Sequence, residues 1–248
     1  EFEKYGIKVV IDLHSGPATM NEILQNVGIW TTEAQDMIVD LWREIARHYK
    51  GNSNIYGYDI LNEPLEPSYV YRPGGALDWN RLAERIGKAI REIDPDVWII
   101  YEPGPGGGTA GLRNLRPLPD YKVIYSTHFY DPGAFTHQGI HNIAGTDRLK
   151  VEEKINVRYP GVIDGVYYDK GKLAESLKII DDFQARYPVP WFIGEFSVVR
   201  WAPAGSGEQF LRDALELFEE RKWSWTYHAF REHHCWSLEH DGQFWREG

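Results

Sequence analysis

Short runs of β-branched and aromatic residues recur along the chain, each followed by polar residues and then by a helical pattern. The runs are Lys8–Leu13, Ile55–Leu61, Val97–Tyr101, Val123–Ser126, Trp191–Gly194 and Trp223–Tyr227. They are short and nearly continuous in apolar residues, as expected of parallel strands buried on both faces. Between them, apolar residues recur at helical spacing. Thr32 is placed to cap a helix whose apolar side carries Met37, Ile38, Leu41, Ile45 and Tyr49, and Asp78 to cap one carrying Leu82, Ile86, Ile90 and Ile93. Leu173, Leu177, Ile180 and Phe183 mark a third helix, which Pro188 ends, and Phe210, Ala214, Leu217 and Phe218 a fourth. Strands alternating with helices of this length give βαβ units and a parallel sheet. No repeat, low-complexity tract or linker interrupts residues 1–248, which read as one domain. The pattern shows about six strands, whereas a closed (β/α)8 barrel needs eight.

Charge and composition narrow the partners. The net charge of −10 argues against nucleic acid or an anionic membrane surface. A single cysteine, Cys235, excludes an internal disulfide and any multi-cysteine metal site. No apolar run approaches the ~20 residues that cross a bilayer. Aromatic residues make up 14% of the chain, with 10 Trp and 15 Tyr. Either a large aromatic core or a cleft that stacks sugar rings accounts for them.

The predicted strands end in polar clusters, on the side where α/β folds carry their sites. His14-Ser15-Gly16-Pro17 follows the first, Asn62-Glu63-Pro64 the second, His128-Phe129-Tyr130-Asp131-Pro132 the fourth and Glu195-Phe196-Ser197 the fifth. Two acids, Glu63 and Glu195, therefore stand at corresponding ends of different strands. Such a pair suits glycoside hydrolysis, in which one neutral carboxyl group protonates the leaving oxygen while an ionised one attacks the anomeric carbon or activates water. Asn-Glu-Pro by itself is weak, since an acid after a strand often caps the next helix. The ordered set of Asn-Glu-Pro, His-x-Tyr and Gly-Glu-Phe is far more specific. The segment Glu102–Gly108 lacks the lysine of a phosphate loop and reads as a mobile loop over the cleft. His228, His233, His234 and His240 form no metal-ligand pattern and read as a polar loop. Trp30, Trp201 and Trp236 lie beyond strand ends and are either sugar platforms or core plugs. The long connection Pro132–Lys172 reads as a cleft wall or a dimer contact.

Tyr5–His14, Tyr58–Pro64, Ser126–Tyr130 and Phe192–Phe196 together resemble glycoside hydrolase family 5, the cellulase family of clan A. The resemblance covers nearly the whole chain. It implies a (β/α)8 TIM-barrel type of fold and a retaining double displacement, with Glu63 as acid/base and Glu195 as nucleophile. It implies that Asn62 binds the sugar 2-hydroxyl, that His128 and Tyr130 orient the two acids, and that His14 lines the −1 subsite. It implies no cofactor and no metal. The family has two further strands before the one that ends in His14, and an arginine on the second that bonds the nucleophile; this chain lacks them. A barrel without those strands would expose the Val9–Leu13 edge, to be covered by further sequence or by a homodimer. The family's tryptophan on the last strand falls by alignment at Ala229 or Phe230, with Trp225 and Trp236 as substitutes. The expected activity is cleavage of a β-1,4-glucan polysaccharide or oligosaccharide, as an endoglucanase. The alternatives are a mannanase, xyloglucanase or other β-glycanase, or a non-catalytic carbohydrate-binding or partner-completed fragment. A polymeric substrate implies a secreted or periplasmic protein.

Overall fold

All six predicted strands form in the computed structural model, which describes residues 2–16, 29–65, 77–120, 122–142, 149–231 and 234–238. In chain order the elements are β1 (Val9–Asp12), α1 (Thr32–Tyr49), β2 (Ile55–Asp59), α2 (Trp79–Arg91), β3 (Trp98–Tyr101) and β4 (Val123–His128). Then come the short helix α3 (Gly133–Thr136), β5 (Ile140–Asn142), β6 (Leu149–Val151), β7 (Gly161–Ile163) and β8 (Val166–Tyr168). The chain continues with α4 (Lys170–Arg186), β9 (Trp191–Glu195), α5 (Ser206–Glu220) and β10 (Ser224–Trp225). The chain divides into two compact units, one of Glu1–Ser126 with Gln184–Pro190 and one of Thr127–Phe183 with Trp191–Gly248.

In the first unit β1, β2, β3 and β4 pair in sequence order, all parallel. Parallel neighbours need a crossover between them, and α1 and α2 supply two. The cap of α1 lies one residue before the predicted Thr32: it is Thr31, whose hydroxyl accepts the Ala34 N–H at 3.1 Å. Its buried side is Ala34, Ile38, Trp42 and Ala46, while Met37 and Leu41 face solvent. The two stripes lie side by side on the helix, and Trp42 selects between them. Its ring packs 5.4 Å from Tyr58 and its indole N–H donates to the Ile60 carbonyl at 3.0 Å. Asp78 caps α2 as expected, accepting the Asn80 N–H at 2.8 Å. Arg91, at the other end of α2, donates to Asp120 at 2.6 Å and to the Val97 and Lys122 carbonyls at 2.8 and 3.1 Å. It thereby ties the entries of β3 and β4 to the helix. Residues Val123–Ser126 of β4 are buried throughout, whereas β1 alternates between half-buried and exposed positions. The expectation of a strand buried on both faces therefore does not extend to β1.

In the second unit β9 and β10 are parallel, with Ser224 opposite Phe192 and Trp225 opposite Ile193. The core here is aromatic. Phe210 of α5 stacks on Phe129 at 6.4 Å, and Phe135 and Tyr159 close on it at 5.5 Å each. Phe218, two turns further along α5, meets Phe129 and Phe196 edge-on. Burying each such ring contributes roughly 1.5–3 kcal/mol. Much of the aromatic content is thus core, the first of the two alternatives. The connection Pro132–Lys172 contains α3 and two antiparallel pairs, β5 with β6 and β7 with β8. Among the described residues no helix is long and apolar enough to cross a membrane.

Candidate active site

The first unit presents Asn62 and Glu63 just beyond β2. Ile60 and Leu61 continue the strand into the core, fully buried. The Asn62 N–H donates to the Leu13 carbonyl at 3.1 Å, so His14 and Glu63 both follow directly from a bonded pair. His14 is exposed, and its Nδ1 lies 2.9 Å from Asp12 Oδ2. Glu63 holds φ at +40°, a left-handed backbone that a side chain with a Cβ rarely adopts. Such a conformation costs on the order of 1–3 kcal/mol and persists where the surroundings impose it.

The surroundings come from residues 102–106. The Glu63 N–H donates to Glu102 Oε2 at 2.9 Å, and the Pro64 carbonyl accepts the Gly106 N–H at 2.9 Å. Each bond contributes roughly 0.5–1.5 kcal/mol net, enough together to offset the strained backbone. Gly106 needs its φ of +74° to aim that N–H, which is where a glycine is required. Glu102 is 1% exposed, and its own carbonyl accepts the indole N–H of Trp79 at 2.8 Å. The Glu102–Gly108 segment is therefore bonded on both sides of Glu63. Trp30 is a buried plug, donating to the Leu65 carbonyl at 2.7 Å.

In the second unit Glu195 closes β9. Its Oε2 accepts the Tyr130 hydroxyl at 2.8 Å, with His128 Nδ1 at 3.5 Å and His228 Nδ1 at 3.7 Å from the same oxygen. One hydrogen bond and two imidazoles at longer range thus converge on one carboxylate oxygen. The backbone delivers them. The Phe129 N–H donates to the Glu195 carbonyl at 2.8 Å, which sets His128 and Tyr130 on either side. Beyond β10, Thr226 and His228 donate to the Ile193 and Phe196 carbonyls at 3.0 and 3.1 Å, carrying His228 to Glu195. Thr136 Oγ1 donates to the Tyr130 carbonyl at 2.6 Å and holds that residue in place.

Rings extend this cluster. His137 lies edge-on to Tyr130 at 4.7 Å, and Trp236 edge-on to both His137 and His228 at 5.4 and 5.7 Å. Trp225 is elsewhere occupied: its indole donates to Glu219 at 2.8 Å and its ring meets Phe196 edge-on. Trp201 donates to the Gln138 carbonyl at 2.9 Å. Around the end of the last strand Ala229 is buried and Phe230 is 74% exposed; the residue of this stretch that faces Glu195 is His228. His233 and His240 lie outside the described residues.

Three residues escaped sequence reasoning: Glu102, His137 and His228. Glu102 carries a readable signal, since it follows a predicted strand directly, as Glu195 does and as Glu63 does after one residue. His228 carried none, because its approach to Glu195 depends on two hydrogen bonds to the end of β9.

Acids at strand ends, with a hydroxyl and two imidazoles gathered on one of them, define a carboxylate site of an α/β fold. The comparisons narrow this class. The sequence matches the profile described as Cellulase (glycosyl hydrolase family 5) over residues 1–234. Endoglucanase C of Acetivibrio thermocellus is 26% identical over 238 residues, covering 88% of this chain and 66% of the relative. Structures of Cel5A from Thermotoga maritima are also similar, each with a TM-score of 0.74. The one in complex with cellobiose is 28% identical and covers 97% of this chain and 70% of that one. The one in complex with mannotriose is 27% identical and covers 95% and 68%. The fold class is α/β, of the TIM-barrel type. The chain belongs to glycoside hydrolase family 5, the cellulase family. It spans 66% of the length of the curated relatives it matches first.

Proposed function

We propose that the protein is a retaining glycosidase that cleaves β-1,4-glucan, acting as an endoglucanase. The observation that carries this reading is the convergence of Tyr130, His128 and His228 on one oxygen of Glu195. A donor at 2.8 Å holds a nucleophilic carboxylate in one orientation. Membership of family 5 supports Glu63 as its partner, and the reading requires the two carboxyl groups to stand about 5–5.5 Å apart.

Glu195 then attacks the anomeric carbon while Glu63 gives its proton to the leaving oxygen, and the glycosidic bond breaks. In the second step Glu63 takes a proton from water, the water oxygen attacks the anomeric carbon, and Glu195 leaves as a carboxylate. Asn62 binds the 2-hydroxyl and His14 lines the −1 subsite. Of the two tryptophans expected near the sugar, Trp236 is the better placed, since it joins the rings around Glu195. Residues 1–248 serve as one catalytic domain in this reading, in keeping with a family match that runs through both units.

A mannan backbone is the second reading, favoured by the mannotriose complex of Cel5A. Action on a polymer also implies a secreted or periplasmic protein, checked by cell fractionation. The homodimer remains a proposal, checked by light scattering of the purified chain.

Glu63→Gln and Glu195→Gln should each abolish release of reducing ends from carboxymethylcellulose while leaving the circular dichroism spectrum unchanged. Near-full activity in either variant overturns the assignment. Wild-type protein that binds cellotetraose without cleaving it points to a carbohydrate-binding fragment, and faster turnover of mannotetraose to the mannan reading.

A further inference from the structure

We infer that Glu102 is a positioning residue for Glu63, holding it in its left-handed turn through a hydrogen bond from the Glu63 backbone. The inference rests on the reading of Glu63 as the acid/base, and it gives a role to a buried acid that the double displacement does not use.

The turn at Glu63 is backbone-strained, with φ at +40°, yet it directs the side chain that must deliver a proton. A relaxed backbone at this residue would turn the Cα–Cβ bond, and with it the carboxyl group, in another direction. What opposes that relaxation is the Glu63 N–H, which points at Glu102 Oε2 at 2.9 Å. The acceptor is itself fixed. Glu102 is buried, follows β3 directly, and its carbonyl is held by the Trp79 indole at 2.8 Å. Trp79 opens α2, which Asp78 caps and which Arg116 ties down by an ion pair to Asp78 at 2.9 Å. A second bond, from the Gly106 N–H to the Pro64 carbonyl, pins the far side of the same turn. The segment after β3 thus clasps Glu63 before and after its Cα. One of its two contacts is made by a side chain, and substitution can remove it without touching the backbone.

Positioning an acid predicts a loss that depends on the leaving group. Cellotetraose needs its leaving oxygen protonated, whereas the phenolate of dinitrophenyl β-cellobioside departs without help. Glu102→Leu removes the acceptor. It should lower kcat/KM on cellotetraose by about 10-fold or more, part of the roughly 100- to 10,000-fold that general acid catalysis supplies. On the aryl glycoside kcat/KM should stay within about 2-fold, because acid catalysis is not called on there. Glu102→Gln keeps an oxygen acceptor at the same reach and should recover most of the cellotetraose activity. Glu102→Asp withdraws the acceptor by one methylene and should behave like the leucine variant; together with glutamine it decides the matter if leucine prevents folding. Equal losses on both substrates, or a glutamine variant as impaired on cellotetraose as the leucine or aspartate one, overturn the inference. A wild-type protein inactive on both substrates instead overturns the function on which the inference rests.

Discussion

Tyr130 carries the clearest single-atom prediction. Its hydroxyl donates to Glu195 Oε2 at 2.8 Å, and the Thr136 hydroxyl holds its backbone. A hydrogen bond to a charged group is worth about 1.5–3 kcal/mol. Tyr130→Phe should therefore lower kcat on cellotetraose by up to roughly 10- to 150-fold, by the usual tenfold per 1.36 kcal/mol, and lower the melting temperature by several degrees, about 2–4 °C per kcal/mol lost. Steady-state kinetics with a thermal scan check both halves. Glu63 and Glu195 are legible in the amino-acid sequence, because acids beside turn-forming residues follow short apolar runs, and Tyr130 is legible through the family resemblance of Ser126–Tyr130. His228 is not, since a histidine in a polar loop looks the same whether or not the fold turns it toward a carboxylate.

Among the elements, the helices show what a one-dimensional pattern can and cannot resolve. Apolar residues at 3.6-residue spacing locate α1, yet two adjacent stripes are available. Burial chooses the one bearing Trp42, because a ring 5.4 Å from Tyr58 removes more apolar surface from water than Met37 or Leu41 could. The pattern of α2 is readable as far as its cap. Asp78 there has two tasks: it accepts the Asn80 N–H and pairs with Arg116 at 2.9 Å. Asp78→Ala should cost about 1–2 kcal/mol, mainly from the lost cap, because the Arg116 end of the pair is half exposed and solvent screens it. Denaturant unfolding monitored by circular dichroism measures this. Because α2 also presents Trp79 to the Glu102 carbonyl, the same variant should lose part of its activity.

Over the whole chain, buried and half-buried tyrosines set a limit at alkaline pH. Burial pushes Tyr125 in the first unit and Tyr227 in the second up to about 12 from an ordinary 10.0. Burial and neighbouring acids raise Tyr58, beside Asp94, and Tyr159, which donates to Asp213 at 2.6 Å. In each case the folded protein favours the neutral phenol. The unfolded chain loses its protons near pH 10 while the folded one keeps them, so folding stability is fully present below pH 10 and falls as the pH climbs toward 12. The melting temperature should accordingly drop from about pH 10 upward, and Tyr227→Phe should flatten part of that fall. A slope identical to wild type would remove Tyr227 from the explanation. Burial raises Cys235 as well, to about 11, so its thiol should resist alkylation at neutral pH until the protein is unfolded.

Local chemistry alone determined the α/β class, the six strands, the cap of α2 and the two glutamates, because spacing and turn residues act between near neighbours. Tertiary structure decided which side of α1 is buried, what bends Glu63 into a left-handed turn, and which histidines approach Glu195. These depend on contacts between residues such as Glu63 and Glu102, or Glu195 and His228, that are tens of positions apart. The energy of such contacts comes from burial and from satisfying backbone groups away from water, and no periodicity along the chain encodes it.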